Sequence, residues 1–525
     1  MSETYNAAER ILAQAARLEG KPALVCGGTT LAYGELAALV SRAANAFTGL
    51  GIDRGSRVAL LVNDSPLYCA AFLGLVKAGA VAIPLNPRLA AADYAYILAE
   101  AGIALAVSER EHVPLIAPAA AGAGVRILAA RDGQGETLER LLASAADEFT
   151  AAPTRREDPA FWLFSSGTTG RPKGVVHSQL GCAHAGKLLR EVIGADSSTV
   201  VLATSKLFFA YALDNAFLGP LSIGASTILS ETWPEPDQVV EQVALHGPDV
   251  VFSVPTFYRR LLGLGAARLA PLKAVALFYS AGERLPDAIA TAWREALGRE
   301  IHSCYGMSES FTNALACFPG QQRLSATGVP LGGVQTRLID AEGREVGAGD
   351  PGVLWIRHPS LALGYHNAQA TAKAFRDGWF CTGDVFVRDA GGYYYHQGRA
   401  DELLRVAGQW VKPAEVEEAV LTDLRLREAA CAVVPDRDGF ERLALFVVPV
   451  SPGEGQALAQ SRCDQQLPQH SRPKWIRELA ELPRTPSGKI QRYKLRELLL
   501  AELARRAYGS SEKRHSRESG NPEDP

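Results

Sequence analysis

Residues 57–108 read RVALLVNDSPLYCAAFLGLVKAGAVAIPLNPRLAAADYAYILAEAGIALAVS. Short runs rich in Val, Ile and Leu (RVALLVN, AVAIPL, IALAVS) alternate there with segments of helical period (SPLYCAAFLGLVKAG, RLAAADYAYILAEAG). That order predicts a βαβαβ unit. Its strands are apolar without interruption, which suits a parallel sheet covered by helices on both faces. The alternation returns at PDVVFSVP, FYRRLLGLG, LKAVALFYSAG, LPDAIATAWREALG and IHSCYG, so a second α/β layer is expected after residue 160. Between Gly328 and His396 short strands such as VQTRLID, GVLWIR and GGYYYHQG, punctuated by Gly and Asp, predict an antiparallel subdomain. Near Gly398 the texture changes again. PAEVEEAVLTD reads as a helix with Pro413 in its first turn, AACAVVPD and RLALFVVPV as strands, and RYKLRELLLAELARRAYG as a terminal helix.

The chain has 525 residues, too many for one ordinary core. With 47% hydrophobic and 21% charged residues it has the balance of a folded globular protein. A net charge of −3 supplies no basic field for nucleic acid or an anionic membrane. The eight cysteines form no C-x-x-C pair, so neither a zinc site nor a disulfide framework is indicated, and a reducing cytoplasm is the expected location. The N-terminal MSETYNAAERILAQAARLEG lacks the basic start and apolar run of a signal peptide. The longest apolar stretch is broken by Lys77 and Pro84, and no membrane span is expected. The Ala-rich region 116–147 reads as helix and loop, and SSEKRHSRESGNPEDP as a disordered tail.

The most informative decapeptide is Ser165-Ser166-Gly167-Thr168-Thr169-Gly170-Arg171-Pro172-Lys173-Gly174, directly after the apolar run FWLF. Glycines let backbone N–H groups approach a polyanion, hydroxyls add donors, and Lys173 offsets phosphate charge. A triphosphate is the natural guest. The Walker A pattern does not fit, because Lys173 is preceded by Pro172 and followed by Gly174. Tyr305-Gly306-Met307-Ser308-Glu309 follows the predicted strand IHSC and offers an aromatic face for a base, a hydroxyl for phosphate and a carboxylate for Mg²⁺. Half of the decapeptide would read as an ordinary Gly/Ser/Thr turn, but all ten positions together favour the phosphate loop; the pentapeptide alone would read as a plain strand end.

Together, and in this order, these stretches resemble the adenylate-forming superfamily, which includes acyl-CoA synthetases, peptide-synthetase adenylation domains and luciferases. The resemblance runs from LAYGELAALVSRAANAF through PRTPSGKIQR. It implies a large α/β N-terminal domain, with parallel sheets sandwiched by helices and a small antiparallel β subdomain, plus a mobile α+β C-terminal domain. The boundaries expected are 1–400 for the adenylation core, 401–509 for the mobile domain and 510–525 for the tail.

By the same resemblance, ATP or AMP would be bound by Ser165, Ser166, Gly167, Thr168, Thr169, Gly170 and Lys173, by Ser280, Ala281, Gly282 and Glu283, and by Tyr305, Gly306, Asp384 and Arg399. Glu309 matches the magnesium-linked glutamate. Ser308 stands where the family usually has threonine, and both count with Lys489 as the catalytic set. Asp384 of Thr382-Gly383-Asp384 would hold the ribose, and Asp401 of Gly398-Arg399-Ala400-Asp401-Glu402 would be the pivot between two domain orientations. Gly408 would line the tunnel for the thiol acceptor. Trp410 would contact the acceptor or simply pack, and Arg405 replaces the more usual lysine. Lys489 of PRTPSGKI would be the mobile lysine that stabilises charge on the α-phosphate during adenylation.

SKLFFAYALDN, residues 205–215, closely resembles benzoate-type CoA ligases. Phe209, Ala210, Tyr211, Gly282 and Met307 form the expected acyl pocket, suited to a flat apolar acid. Amino-acid-adenylating relatives place an aspartate where this chain has Ala210, while Asp214 keeps an amino substrate open. No carrier domain follows Lys489, so free coenzyme A is the simplest acceptor. The function expected is an AMP-forming aryl carboxylate-CoA ligase using ATP, Mg²⁺ and coenzyme A. Its partners would be small molecules rather than nucleic acid or membrane, with a homodimer left open. Two alternatives stand beside it: a stand-alone enzyme loading a carrier protein, and a non-catalytic nucleotide sensor, against which Glu309 and Lys489 argue.

Overall fold

The computed structural model describes residues 4–131, 135–166, 171–400, 404–406, 409–437, 439–484 and 490–518, with backbone alone for Ser166, 404–406, 409–410 and 506–518. The chain divides into two compact units, 1–382 with 386–396, and 383–385 with 397–525.

The expected βαβαβ unit is present as Arg57–Leu61, Pro66–Lys77, Val81–Pro84, Ala91–Glu100 and Ile103–Ser108. Its strands join a seven-stranded sheet ordered Gly364–Tyr365, Pro172–Ser178, Pro159–Ser166, Val81–Pro84, Arg57–Leu61, Ile103–Ser108, Arg126–Ala129. Side-chain alternation along Arg57–Leu61 explains the layering. Val58 and Leu60 face a core that also holds Tyr33, Phe47, Phe72 and Phe217. Ala59 and Leu61 face the opposite one, with Tyr94, Ile97 and Ile116. The helix Pro66–Lys77 starts on the Ser65 hydroxyl, which accepts from the Tyr68 amide at 3.3 Å, with Pro66 in its first turn. Tyr68 through Val76 are all buried, as befits a helix between two layers. Gly74 lets it cross Tyr33–Gly49 closely, since an added Cβ would lie 2.5 Å from that of Ala43.

The second layer is a nine-stranded sheet ordered Val329–Pro330, Leu315–Ala316, Ile301–Tyr305, Leu277–Ser280, Val250–Ser253, Val200–Ala203, Ser226–Leu229, Pro22–Cys26, Thr29–Ala32. Its six central strands, Ile301–Tyr305 through Pro22–Cys26, are parallel. Val251, Phe278 and Ile301 pack outward on Tyr258 and Trp293, while Leu24 and Leu229 share the inner core with the first sheet. Helices are thus buried between two sheets and cover both outer faces. Parallel strands bring their carboxyl ends to one edge, so Ser253, Ser280 and Tyr305 emerge together there.

The antiparallel subdomain is ordered Gln335–Ile339, Pro351–Arg357, Trp379–Arg388, Phe375–Arg376, with Tyr394–Arg399 also on Trp379–Arg388. In the second unit the strands Leu426–Pro435, Glu441–Pro449 and Trp475–Glu478 form a sheet. Cys431 and Leu445 pack on Val416, Val420 and Cys463 on one side, and Ala430, Ala432 and Phe446 on Leu495 and Leu499 on the other.

Two expectations change. The Ala-rich region contains an edge strand, Arg126–Ala129, between the helices Val113–Ala123 and Leu138–Ser144. Four residues at an edge carry too little periodicity to be read, and the parallel partner Ile103–Ser108 supplies what propensity does not. The terminal helix runs Arg492–Glu518, past the expected break at 509, because EKRHSRE contains good helix formers despite having no apolar stripe. All eight cysteines are free. Among the described residues no helix is long and apolar enough to cross a membrane.

Candidate active site

The strands Pro159–Ser166 and Pro172–Ser178 form an antiparallel hairpin in which Ser165 faces Lys173 and Ser166 faces Pro172. Gly167, Thr168, Thr169 and Gly170 lie outside the described residues. Gly364–Tyr365 pairs with the outgoing strand, Tyr365 opposite Val175. This pairing brings the two strongest motifs together. The Lys173 ammonium lies 5.5 Å from the centroid of the Tyr365 ring, within cation–π range. The Tyr365 hydroxyl donates to Glu309 Oε1 at 2.7 Å. The Ala362 amide donates to the Glu309 carbonyl at 2.9 Å, tying the same segment to the glutamate's backbone. Tyr365 carries no signal in the sequence, since its meaning depends on partners distant along the chain.

The turn after Tyr305 is held from within. The Ser310 hydroxyl accepts from the Met307 amide at 3.0 Å, and the Tyr305 carbonyl accepts from the Ala314 amide at 2.7 Å. Phe311 has φ +60°, a conformation that costs a non-glycine residue about 1–2 kcal/mol. Its ring is buried 4.9 Å from Phe161 and 5.5 Å from His177, and this packing holds the strained turn in place. His177 is fully buried and stacked on Phe161 at 4.6 Å, and burial pushes its pKa down to about 3. Its ring is neutral because burial outweighs the opposing interaction with the Ser308 backbone.

The Ser280 hydroxyl is buried and has no partner among the described residues. A buried hydroxyl without a partner is costly unless something else satisfies it. Ala281 is buried, Gly282 turns at φ +86°, and Glu283 is exposed beyond it. Cys304 Sγ lies 3.5 Å from the Ser280 carbonyl and 3.8 Å from the Tyr211 hydroxyl, so one thiol links this loop to the expected acyl pocket. Tyr211 also meets Phe252 edge to face at 5.8 Å. Phe209, Ala210, Tyr211, Met307 and Ser308 are half-buried, as pocket walls must be. The segment is clamped from behind by Lys206, which donates to the carbonyls of Ser230, Glu231 and Thr232 and pairs with Asp64 at 3.1 Å. Burial, its largest influence, raises the Asp64 pKa although Lys206 opposes it.

Asp214 has another place. It is fully buried in the turn Asp214–Leu218, with Oδ1 accepting from the Gly186 amide at 2.7 Å. Asn215, its neighbour, donates to the Tyr211 carbonyl at 3.0 Å and to Asn313 Oδ1 at 3.1 Å. Asp214 therefore braces a helix crossing.

In the second unit, Arg399 Nη1 donates to Asp384 Oδ1 at 3.2 Å, and the Ala400 amide donates to the Gly383 carbonyl at 2.9 Å. Asp401, Gly408 and Lys489 lie outside the described residues, and of Trp410 the backbone alone is described, in a hairpin opposite Arg405. The ends of the lysine's segment are joined: Arg484 bridges Ile490, and the Gln491 amide donates to the Pro483 carbonyl at 2.8 Å.

Known proteins resemble the chain over most of its length. Residues 11–366 match the profile of the AMP-binding enzyme family, and residues 415–489 that of the AMP-binding enzyme C-terminal domain. A 3-hydroxybenzoate–CoA ligase of Aromatoleum sp. (strain CIB) is 39% identical over 509 residues, 94% of this chain and 97% of its own length. A benzoate–CoA ligase of Thauera aromatica is 36% identical over 507 residues, 94% of this chain and 96% of its own. Among solved structures, the anthranilate CoA ligase AuaEII in complex with anthranoyl-AMP superposes with a TM-score of 0.88 at 30% identity, covering 96% of this chain and 99% of that one. With its hairpin and its Tyr-Gly-x-x-Glu turn inside the first of these profiles and most of its small-unit sheet inside the second, the chain belongs to the AMP-binding enzyme family.

Proposed function

We propose that the protein is an ATP-dependent aryl carboxylate–CoA ligase. The carboxylate oxygen attacks the α-phosphorus of ATP, giving an acyl-adenylate and pyrophosphate. The thiol of coenzyme A then attacks the acyl carbon, and AMP leaves as the thioester forms. Adenylation is needed because a carboxylate oxygen is a poor leaving group and AMP a good one. The observation that carries this reading is the gathering of Lys173 and Glu309 on one tyrosine at the mouth of a Gly/Ser/Thr hairpin. Its setting is a chain that aligns over 94% of its length with a 3-hydroxybenzoate–CoA ligase.

In this reading Lys173 and the hairpin hydroxyls bind the phosphates. Asp384 holds the ribose, Arg399 orients Asp384, and the 280–283 loop and Tyr305 border the adenine. Phe209, Ala210, Tyr211 and Met307 enclose the ring of the acid. Ser308 donates to a phosphate oxygen, and Lys489 supplies positive charge during the first step. Gly408 and Trp410 face the thiol acceptor. Magnesium fits Glu309: that ion is commonly bound through one or two carboxylates plus substrate phosphates. Among the described residues no group of three His, Cys, Asp or Glu side chains forms a cage of its own. When bound, the ion neutralises phosphate charge. Eight free cysteines suit a reducing cytoplasm, where ATP and coenzyme A are available.

The test is a panel of benzoate, hydroxybenzoates and aminobenzoates assayed for AMP and pyrophosphate with and without coenzyme A. AMP with thioester formation is expected for at least one aryl acid. ADP and phosphate as products, or turnover confined to aliphatic acids, would overturn the reading.

A further inference from the structure

Tyr365 lies outside the loop, turn and lysine segments to which the function has been assigned, yet it touches two of them. Its hydroxyl meets Glu309 Oε1 at 2.7 Å and its ring faces Lys173 at 5.5 Å. One side chain therefore holds a carboxylate through its polar tip and an ammonium through its π face. The two contacts use different physics, a hydrogen bond to a charged acceptor and attraction to a ring quadrupole, so both can be made at once. The tyrosine is itself clamped. The Thr371 hydroxyl accepts from the Tyr365 amide at 2.9 Å and donates to the carbonyl of Tyr365 at 2.9 Å or of Asn367 at 3.0 Å. Gly364 has φ +141°, and an added Cβ there would meet Thr371 Cγ2 at 2.5 Å, so the clamp depends on a glycine beside the tyrosine. Phe375 closes the ring's side edge to face at 5.7 Å. A side chain fixed by backbone, hydroxyl and ring contacts is suited to positioning, because its own rotamer has little freedom left.

We infer that Tyr365 is a positioning residue that sets Glu309 for magnesium and Lys173 for phosphate in the same stroke. This rests on the reading of the site as an MgATP site. With Oε1 engaged by the phenol, rotation of the carboxylate is restricted, which presets Glu309 toward a metal shared with the phosphates. With Lys173 drawn to the ring face, the ammonium stays at the hairpin's open end before ATP arrives. Both effects lower the ordering cost of binding MgATP.

The variants Tyr365→Phe and Tyr365→Leu separate the two contacts. Phenylalanine keeps the ring for Lys173 and removes the hydroxyl from Glu309, whereas leucine removes both. Equilibrium binding of ATP is measured by calorimetry across a magnesium titration, without aryl acid. For Tyr365→Phe the magnesium concentration at half-effect should rise by about tenfold, the size expected for a lost hydrogen bond to a charged group, with ATP affinity in the absence of magnesium within about twofold of the parent. For Tyr365→Leu the magnesium-free affinity should fall as well. A Tyr365→Phe midpoint within twofold of the parent overturns the proposal. So does an equal loss of affinity with and without magnesium, which is the signature of a merely structural role. If either variant fails to fold, Thr371→Val loosens the clamp without altering the phenol. The same magnesium-selective shift, a fewfold in size, is then expected, and its absence counts equally against the proposal. Failure of the aryl-CoA reading would show separately, as a parent enzyme that binds MgATP but releases no AMP with aryl acids.

Discussion

Asp214 illustrates how burial sets the behaviour of one residue. Burial is the largest influence on its carboxyl, the Gly186 amide and the Arg190 charge oppose it, and the net result raises the pKa from 3.8 to about 7. The native state therefore keeps this proton across a pH range in which the unfolded chain has released it. Its contribution to stability is complete below about pH 4 and is lost as pH rises through 7. Asp214→Asn keeps an oxygen acceptor for the Gly186 amide and cannot ionise. Between pH 4 and pH 8 the parent should lose on the order of 3–4 kcal/mol more stability than the variant, read from urea unfolding at both ends. Parallel losses would refute this account of the carboxyl. Lys489 is predicted to act differently, through chemistry alone. Lys489→Ala should slow adenylate formation by roughly 100-fold or more and leave thioester formation from supplied acyl-adenylate near the parent rate, and equal losses in both assays would remove the role assigned to it. The contrast marks what can be read from sequence: Lys489 stands in a local pattern, PRTPSGKI. The bracing role of Asp214 and the place of Tyr365 depend on Gly186, Lys173 and Glu309, which no local pattern joins to them.

Elements were legible where pattern and length were sufficient. The alternation in 57–108 and 250–305 predicts both parallel layers, and each strand and helix read there is present. The hairpin Pro22–Cys26 with Thr29–Ala32 was not read, although it extends the nine-stranded sheet by pairing Leu24 with Thr227 and Val25 with Ile228. Periodicity reports an element's type, while sheet membership across so long a separation follows from packing that a local window does not contain. Glycine positions behave similarly. Gly383, within the strand Trp379–Arg388, has φ +73°, and a Cβ there would lie 2.7 Å from Arg399 Nη2, so the strand presents Asp384 to Arg399 because this position lacks a side chain. Gly383→Ala should cost about 1–2 kcal/mol in backbone strain and displace the arginine. The KM for ATP is expected to rise about tenfold, on the scale of a charge-assisted hydrogen bond, while the KM for the aryl acid stays within about twofold. A change in both constants together, or in neither, would show that Gly383 does not serve the Asp384–Arg399 pair.

At the scale of the whole molecule, two reactions of different geometry are assigned to one chain made of two units, residues 1–382 with 386–396 and residues 383–385 with 397–525. In the proposed reaction adenylation would place Lys489 at the α-phosphate, whereas thioester formation would place Gly408 and the acceptor thiol at the acyl carbon, and both residues belong to the smaller unit. One rigid placement that served both would bring the lysine and the thiol to the same carboxyl group at the same moment. Alternation would remove that conflict, and it would require a backbone segment that changes φ and ψ, which we propose lies at Asp401. Arg399 and Ala400 are tied to Asp384 and Gly383 within the smaller unit, and the pivot proposed at Asp401 follows directly after them in the chain. Proline fixes φ near −65°, and Asp401→Pro should hold the units in one placement. If that placement is the adenylating one, the variant makes acyl-adenylate and pyrophosphate at close to the parent rate. It then fails to pass the acyl group to coenzyme A, by about 100-fold or more on the scale of lost positioning. Acyl-adenylate accumulation in single turnover, followed by mass spectrometry, checks this directly, with circular dichroism confirming that the variant is folded. A folded variant that completes both half-reactions at parental rates would move the pivot away from Asp401 and require alternation to be sought elsewhere in the segment.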